Sequence, residues 1–172
     1  AAQPAKLKIG AKGTRVTVRL PTGASVPKWF PDSKRIAFVT PIWPDLVRWE
    51  DQGKRLKERE ESKMSARVYD RAPIAYWDHL HDDREPHLFA IEVGGGEPVA
   101  ITRMSGFFLS KSEITASSYD ISPDGLDVAF VANVDKSGIE GNYDVIELAA
   151  CGCKPAKNLT SSNPADDGDP RY

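Results

Sequence analysis

All three histidines of the chain fall within the segment 78–87, together with three aspartates. Imidazole and carboxylate groups are common ligands of Zn²⁺ and other divalent ions, so this composition could hold a metal. The residue types of this segment predict a turn, however, and they lack the helical spacing that would bring these side chains together. We therefore expect a polar loop before a strand, with neither a metal site nor a cofactor.

Two other motifs could also carry chemistry. Cys151 and Cys153 are separated by one glycine, a spacing too short for an ordinary unstrained disulfide and able to supply at most half of a zinc site. We expect them to be an incidental pair in a turn. The run Gly94-Gly95-Gly96 lacks the lysine and the following helix of a phosphate-binding loop, so it predicts a hairpin turn.

The composition excludes several classes of protein. The 172 residues are 40% hydrophobic and 28% charged, with a net charge of -2, which is typical of a single globular domain. Eighteen consecutive apolar residues occur nowhere, so no transmembrane helix is predicted and we expect no membrane partner. The chain also lacks a large basic block, and we expect no nucleic-acid partner.

An internal repeat predicts the architecture. The segment 29–39 recurs as 120–131, with Pro31 and Pro123 at equivalent positions, 92 residues apart. Each copy consists of an apolar run, a Pro-Asp turn and a second apolar run, which predicts a tight antiparallel hairpin. A second hairpin recurs with an offset of 57 residues, in 87–102 and 144–160. Two hairpins per copy predict a unit of four strands.

The two offsets differ by 35 residues, so the first unit must hold an insertion between its second and third strands, at 41–86. The core of this insertion, Leu46 to Val68, is rich in Arg, Lys and Glu, and Trp49, Leu56 and Met64 are spaced seven and eight apart. This pattern predicts a solvent-exposed helix or a helical arm, weakened in its early part by Gly53.

Tandem four-stranded units of roughly this size are typical of β-propeller blades, which are stable only when packed against neighbouring blades. The predicted fold is mostly β: a partial β-propeller of about two full four-stranded blades plus flanking strands, with a charged helical insertion. The blades would cover 26–102 and 117–160, and 165–172 would begin the next. We expect a segment of a larger propeller, and self-association if the segment is isolated.

These features resemble the N-terminal propeller of the prolyl oligopeptidase family of serine peptidases, in its dipeptidyl-peptidase and acylaminoacyl-peptidase branch. The resemblance spans 29–172 and follows the order of a charged insertion, a Tyr-Trp-Asp motif and a His-Leu-Phe strand. Its residues are the Pro-Asp hairpins, the paired endings Ile101-Thr102 and Leu159-Thr160, the segment 69–79, and Pro86-His87-Leu88-Phe89.

The resemblance implies a two-domain exopeptidase for short peptides, in which the propeller filters substrates and a C-terminal α/β-hydrolase domain carries a Ser-Asp-His triad. The latter domain is absent from this sequence. No Gly-x-Ser-x-Gly elbow is present, so no catalytic residue is assigned. A periplasmic or secreted location is favoured. The alternative is a non-enzymatic propeller that serves as a scaffold for protein–protein interaction, for which the insertion and Tyr76-Trp77-Asp78 would be unnecessary.

An exopeptidase that removes dipeptides must recognise a free α-ammonium group, and carboxylates suit this task. Glu58, Glu60 and Glu61 in the insertion are therefore the candidate substrate-binding residues. The alternative is a solvated helical face, since lysines and arginines interleave with these acids. Tyr76 and Trp77 would either line the substrate cavity or, as we prefer, pack in the core.

Overall fold

The computed structural model describes residues 19–64, 66, 69, 75–111, 113–135, 137 and 141–172. Within these residues the chain is mostly β and forms ten strands and one helix. The elements are β1 (Ser25–Trp29), β2 (Arg35–Ile42), α1 (Trp49–Ser62), β3 (Ala75–Tyr76), β4 (His79–Leu80), β5 (Glu85–Glu92), β6 (Val99–Ala100), β7 (Tyr119–Ile121), β8 (Asp127–Asn133), β9 (Tyr143–Ala149) and β10 (Lys157–Asn158).

The longer strands form two antiparallel sheets of four strands each. The first sheet has the order β1-β2-β5-β6 and the second the order β7-β8-β9-β10, so each follows the chain from one edge to the other. The predicted four-stranded units are thus confirmed, as is the insertion between the second and third strands of the first. Because β2 and β5 pair as far as Ile42 and Glu85, the insertion occupies 43–84.

The two Pro-Asp turns are built alike. Asp32 Oδ1 accepts the Lys34 N–H at 2.8 Å, and the equivalent Asp124 Oδ1 accepts the Leu126 N–H at 3.0 Å. The residue after each aspartate is left-handed, with a φ of 56° at Ser33 and of 70° at Gly125, and glycine adopts this conformation without steric cost. The repeat found in the sequence is therefore a repeat of turn structure.

The paired Ile-Thr and Leu-Thr endings also have one structural explanation. Thr102 Oγ1 accepts the Leu88 N–H at 3.0 Å, and Thr160 Oγ1 accepts the Val145 N–H at 3.0 Å. In each case the threonine follows a short fourth strand and satisfies an amide of the third strand that the fourth strand no longer reaches. Each hydroxyl thus lengthens the pairing of a two-residue edge strand.

The main hydrophobic core lies between the two sheets. Its largest side chains are Phe30 and Leu88 from the first unit and Tyr119 and Phe130 from the second, and all four are fully buried. Tyr119 also donates a hydrogen bond of 2.6 Å from its hydroxyl to the Val26 carbonyl. The burial of this phenol raises its pKa above the ordinary value, so the donor remains protonated.

A second core covers the other face of the first sheet. Phe38 and Phe89 stack on this face, and Trp49 from the start of α1 packs on Phe89 with ring centroids 5.1 Å apart. Leu20 contributes from the segment before β1. The sheet is thus buried on both faces, and this second core fixes where the helix begins.

The last residues of the chain lie along the outer side of the second sheet. The Asp167 N–H donates to the Tyr143 carbonyl at 2.7 Å, and the Tyr172 hydroxyl donates to Glu147 at 3.0 Å. The Tyr172 N–H reaches Asp120 Oδ2 at 3.2 Å. Residues 165–172, expected to lead into another strand unit, therefore contact β7 and β9 of the second sheet.

The expectation of an incidental cysteine pair is wrong, because Cys151 and Cys153 form a disulfide. Gly152 adopts a φ of 62°, which turns the chain back on itself and leaves the two Cα atoms 5.2 Å apart, within the usual range for a disulfide.

Among the described residues, no helix has the length and apolarity needed to cross a membrane.

Candidate functional site

The candidate site is built on helix α1, which begins without a side-chain cap. Arg48 at the N-cap position instead forms a bidentate pair with Asp51, and Glu50 and Asp51 place negative charge at the positive end of the helix. Gly53 permits close packing, since a Cβ at this position would lie 3.3 Å from the Pro21 Cβ. The glycine expected to weaken the helix thus lets it approach the segment before β1.

Gln52 anchors the helix to the loop that follows β2. Its side chain is 2% exposed and accepts the Trp43 N–H at 3.0 Å. The same amide donates to the carbonyls of Trp43 and Leu46, each at 2.8 Å. A buried amide with three satisfied hydrogen bonds fixes the helix more firmly than its charged sequence suggests.

A group that we call the Trp43 cluster holds the middle of the helix. The guanidinium carbons of Arg55, Arg59 and Arg84 lie 5.4, 5.7 and 5.4 Å from the centre of the buried Trp43 ring. Asp83 accepts hydrogen bonds from the indole N–H at 2.9 Å and from Arg59 at 2.7 Å. The helix therefore does not stand off as an arm, because cation–π contacts and ion pairs tie it to both ends of the insertion.

Asp82 completes the electrostatics beside this cluster. Burial alone would raise the pKa of its carboxyl, but a bidentate pair with Arg84 and that residue's N–H hold the pKa well below its usual range. Burial, together with the charge of Lys111, lowers the pKa of the neighbouring His81. This imidazole is thus neutral at pH 7, while Asp82 is ionised.

The three candidate glutamates lie on the solvent side of the helix. Glu58, Glu60 and Glu61 are all exposed, and Glu58 and Glu61 approach lysines one turn earlier with N–O distances of 3.8 and 3.7 Å. Such long, exposed pairs are weak. The opposite side of the helix is attached to the rest of the insertion, so the backbone that carries these glutamates is fixed while their carboxylates face solvent.

The aromatic candidates lie in the β3–β4 hairpin. Trp77 occupies its two-residue turn with a φ of 56° and is 88% exposed, so the preference for core packing is wrong for this residue. Leu80 on the same hairpin is 55% exposed. The side chain of Tyr76 falls outside the described residues. The structure thus places an exposed apolar tip at the hairpin.

The described side chains of the histidine-rich segment do not converge on one point. His81 precedes β5 and His87 lies within it, while the side chain of His79 is outside the described residues. Across the described part of the chain, no three His, Cys, Asp or Glu side chains are grouped as metal ligands would be.

The structure does assemble one acid–imidazole–hydroxyl series that sequence reasoning missed. His87 lies between Glu85, at 3.3 Å from Nε2, and Thr102, at 2.9 Å from Nδ1. The order resembles that of a catalytic triad, but Thr102 is fully buried and its oxygen already accepts the Leu88 N–H. The series therefore stabilises the sheet and is closed to a substrate.

A groove of about 390 Å³ opens between the first turn of α1 and β6. It is lined by apolar side chains such as Trp49 and Phe89 and by charged ones such as Glu97 and Arg103. Arg103 donates to the Pro44 carbonyl at 3.0 Å and so braces one wall. The groove is about 15 Å along the helix from the candidate glutamates, counting ten residues. These are two separate surfaces.

Neither the scan against protein-family models nor the search of curated proteins gave a match for this chain. The resemblance to prolyl oligopeptidase propellers thus depends on the motifs of the sequence.

Proposed function

We propose that the chain is part of a β-propeller that admits short peptides to the active site of a serine exopeptidase of the prolyl oligopeptidase type. The observation that carries the propeller component is the contact between equivalent residues of the two sheets. Lys28 in β1 and Asp120 in β7 are 92 positions apart, the offset of the repeat, and their side chains meet at 3.1 Å.

The turns beside these strands support the same arrangement. Arg35 donates to the carbonyl of Gly125 at 3.4 Å, so one Pro-Asp hairpin lies against its counterpart. The first strand of one unit thus faces the first strand of the next, and the turns stay together. Neighbouring blades of a propeller pack in this way around their common axis.

The helix supports the peptide-binding component. Gln52 and the Trp43 cluster fix one side of α1, so the carboxylates on the other side are held on a rigid support. The lysines paired with Glu58 and Glu61 are exposed, with N–O distances of 3.8 and 3.7 Å, and a peptide α-ammonium group could replace them with little loss. In this proposal the chain binds and filters, while the serine nucleophile belongs to an α/β-hydrolase domain.

One observation favours the second candidate function, a non-enzymatic scaffold. Trp77 and Leu80 expose apolar surface on a short hairpin, and exposed aromatic side chains are common at protein–protein contacts. A scaffold would use this tip for a protein partner and would make no use of the glutamates.

The test compares single variants of the complete protein, Glu58→Gln, Glu60→Gln and Glu61→Gln. Loss of one charge-assisted hydrogen bond, worth about 1.5 to 3 kcal/mol, should raise KM roughly tenfold or more for dipeptide substrates with a free amino terminus. Substrates with an acetylated amino terminus should be unaffected.

Glu92→Gln is the matched control, because Glu92 is also exposed but lies at the end of β5 far from the insertion. It should change neither KM value. Wild-type kinetics on both substrate types in all three test variants would contradict a role for these carboxylates in binding.

A further inference from the structure

The turn between β9 and β10 carries chemistry that the proposed function does not use. Cys151 and Cys153 form a disulfide there, and both residues are exposed. A disulfide exchanges with a thiolate only where the attacking sulfur can reach it, so this exposure meets the first requirement.

This disulfide adds little to the stability of the fold. Cross-links stabilise mainly by closing long loops in the unfolded chain, and the loop here contains a single residue between the cysteines. The turn is already closed by other contacts: the Gly152 N–H donates to the Ala149 carbonyl at 2.8 Å, and β10 pairs with β9. A structural role does not account for the bond.

The two sulfur atoms are not equivalent. The Cys153 N–H donates a hydrogen bond of 3.3 Å to Cys151 Sγ. A backbone donor stabilises a thiolate, so Cys151 is the better leaving group and Cys153 is the sulfur to be attacked.

The turn packs closely against the first sheet, through a contact that does not include the disulfide. Gly152 has a φ of 62°, and a Cβ on it would lie 2.7 Å from the Ala100 carbonyl oxygen. Only glycine fits this close approach. Because this contact does not involve sulfur, the two thiols would stay adjacent after reduction and could form the disulfide again.

We propose that Cys151-Gly152-Cys153 is a thiol–disulfide exchange site whose co-substrate is a dithiol. One thiolate of the dithiol attacks Cys153 Sγ, a mixed disulfide forms, and the Cys151–Cys153 bond breaks with its electron pair leaving on Cys151. The second thiolate then attacks its own partner sulfur in the mixed disulfide and releases Cys153. The dithiol is oxidised by two electrons, and the two cysteines are reduced and take up protons from water.

The first test is reduction of the native chain in a glutathione buffer of cytosolic poise, followed by alkylation and mass spectrometry. Most molecules should carry two alkyl groups while the circular dichroism spectrum remains native. A bond that stays oxidised in this buffer until denaturant is added would overturn the proposal, since structural disulfides resist such buffers.

The second test uses the matched variants Cys153→Ser and Cys151→Ser, each of which leaves one free thiol. The backbone N–H of residue 153 remains in both. The thiol pKa, measured from the pH dependence of alkylation, should be roughly one unit lower for Cys151 than for Cys153, or about tenfold more thiolate at neutral pH. An equal or higher pKa at Cys151 would overturn the assigned direction of attack, and the proposal with it.

Discussion

Lys28 and Asp120 hold the same place in two copies of one structural unit, and the lysine joins the copies by two bonds. Its ammonium group pairs with the Asp120 carboxylate and donates to the Tyr119 carbonyl. It also lies 4.9 Å from the centre of the Tyr119 ring. The first strands of the two sheets are thus held together by charge at their surface and by Tyr119 in the core beneath.

Replacing Asp120 by Asn should destabilise the chain by about 1 to 2 kcal/mol at neutral pH, because Lys28 loses its charged partner. Burial raises the pKa of Asp120, but Lys28 and the Tyr172 N–H outweigh this, so the folded-state pKa is lowered. The stabilisation is therefore complete above about pH 4, the ordinary pKa of aspartate, and is lost as pH falls through the lower folded-state value.

The measurement is urea unfolding of the wild type and of Asp120→Asn between neutral and strongly acidic pH. The difference in free energy of unfolding should shrink towards zero at the acidic end. Glu58→Gln, which removes a carboxylate from an exposed pair, is the control and should show little difference at any pH. A pH-independent difference for Asp120→Asn would contradict the assigned ion pair.

The threonines that close the sheets should differ in importance. Thr102→Val removes a hydroxyl that is fully buried and serves both Leu88 and His87, so we expect a loss of about 2 kcal/mol in the free energy of unfolding. Thr160→Val affects the equivalent amide at a half-buried position, which water can reach, and should cost about 1 kcal/mol or less. Equal losses in the free energy of unfolding for the two variants, measured by urea unfolding, would show that the bond to His87 and the burial of Thr102 add nothing to stability.

Gln52→Leu should loosen the insertion while the sheets stay intact. The substitution keeps the volume but leaves the Trp43 N–H and the Leu46 carbonyl without their partner, at a cost of about 2 kcal/mol. The Trp43 carbonyl keeps its bond from the Leu46 N–H. Native-state amide exchange should then show faster exchange throughout α1, with unchanged protection in β2 and β5. Lys54→Ala, on the exposed side of the helix, should leave both regions unchanged.

The sequence allowed the sheets to be predicted because their determinants are local. Pro31 and Pro123 each begin a turn whose aspartate bonds the following backbone, and an apolar strand follows. The difference between the offset of these turns and that of the second hairpin locates the insertion. Pattern and spacing therefore suffice for the strand order of both units.

The site could be predicted only in part, because its determinants are not local. The helical character of 49–62 follows from its sequence, but its attachment depends on Gln52 reaching a backbone nine residues away and on three arginines meeting Trp43. Trp77 is exposed because it occupies a left-handed position in its turn, and the sequence has no glycine there that would have predicted this conformation. The Cys151–Cys153 bond likewise depends on the conformation of one glycine, which spacing alone does not reveal.

In the proposed function, this chain binds the peptide and a separate domain performs the chemistry, and one comparison tests this directly. Hydrolysis of a chromogenic dipeptidyl substrate is measured with the complete protein and with the 172-residue chain alone, with and without a fluorophosphonate, which modifies active-site serines. We predict fluorophosphonate-sensitive hydrolysis by the complete protein and none by the isolated chain. Hydrolysis by the isolated chain, or none by either, would contradict the account.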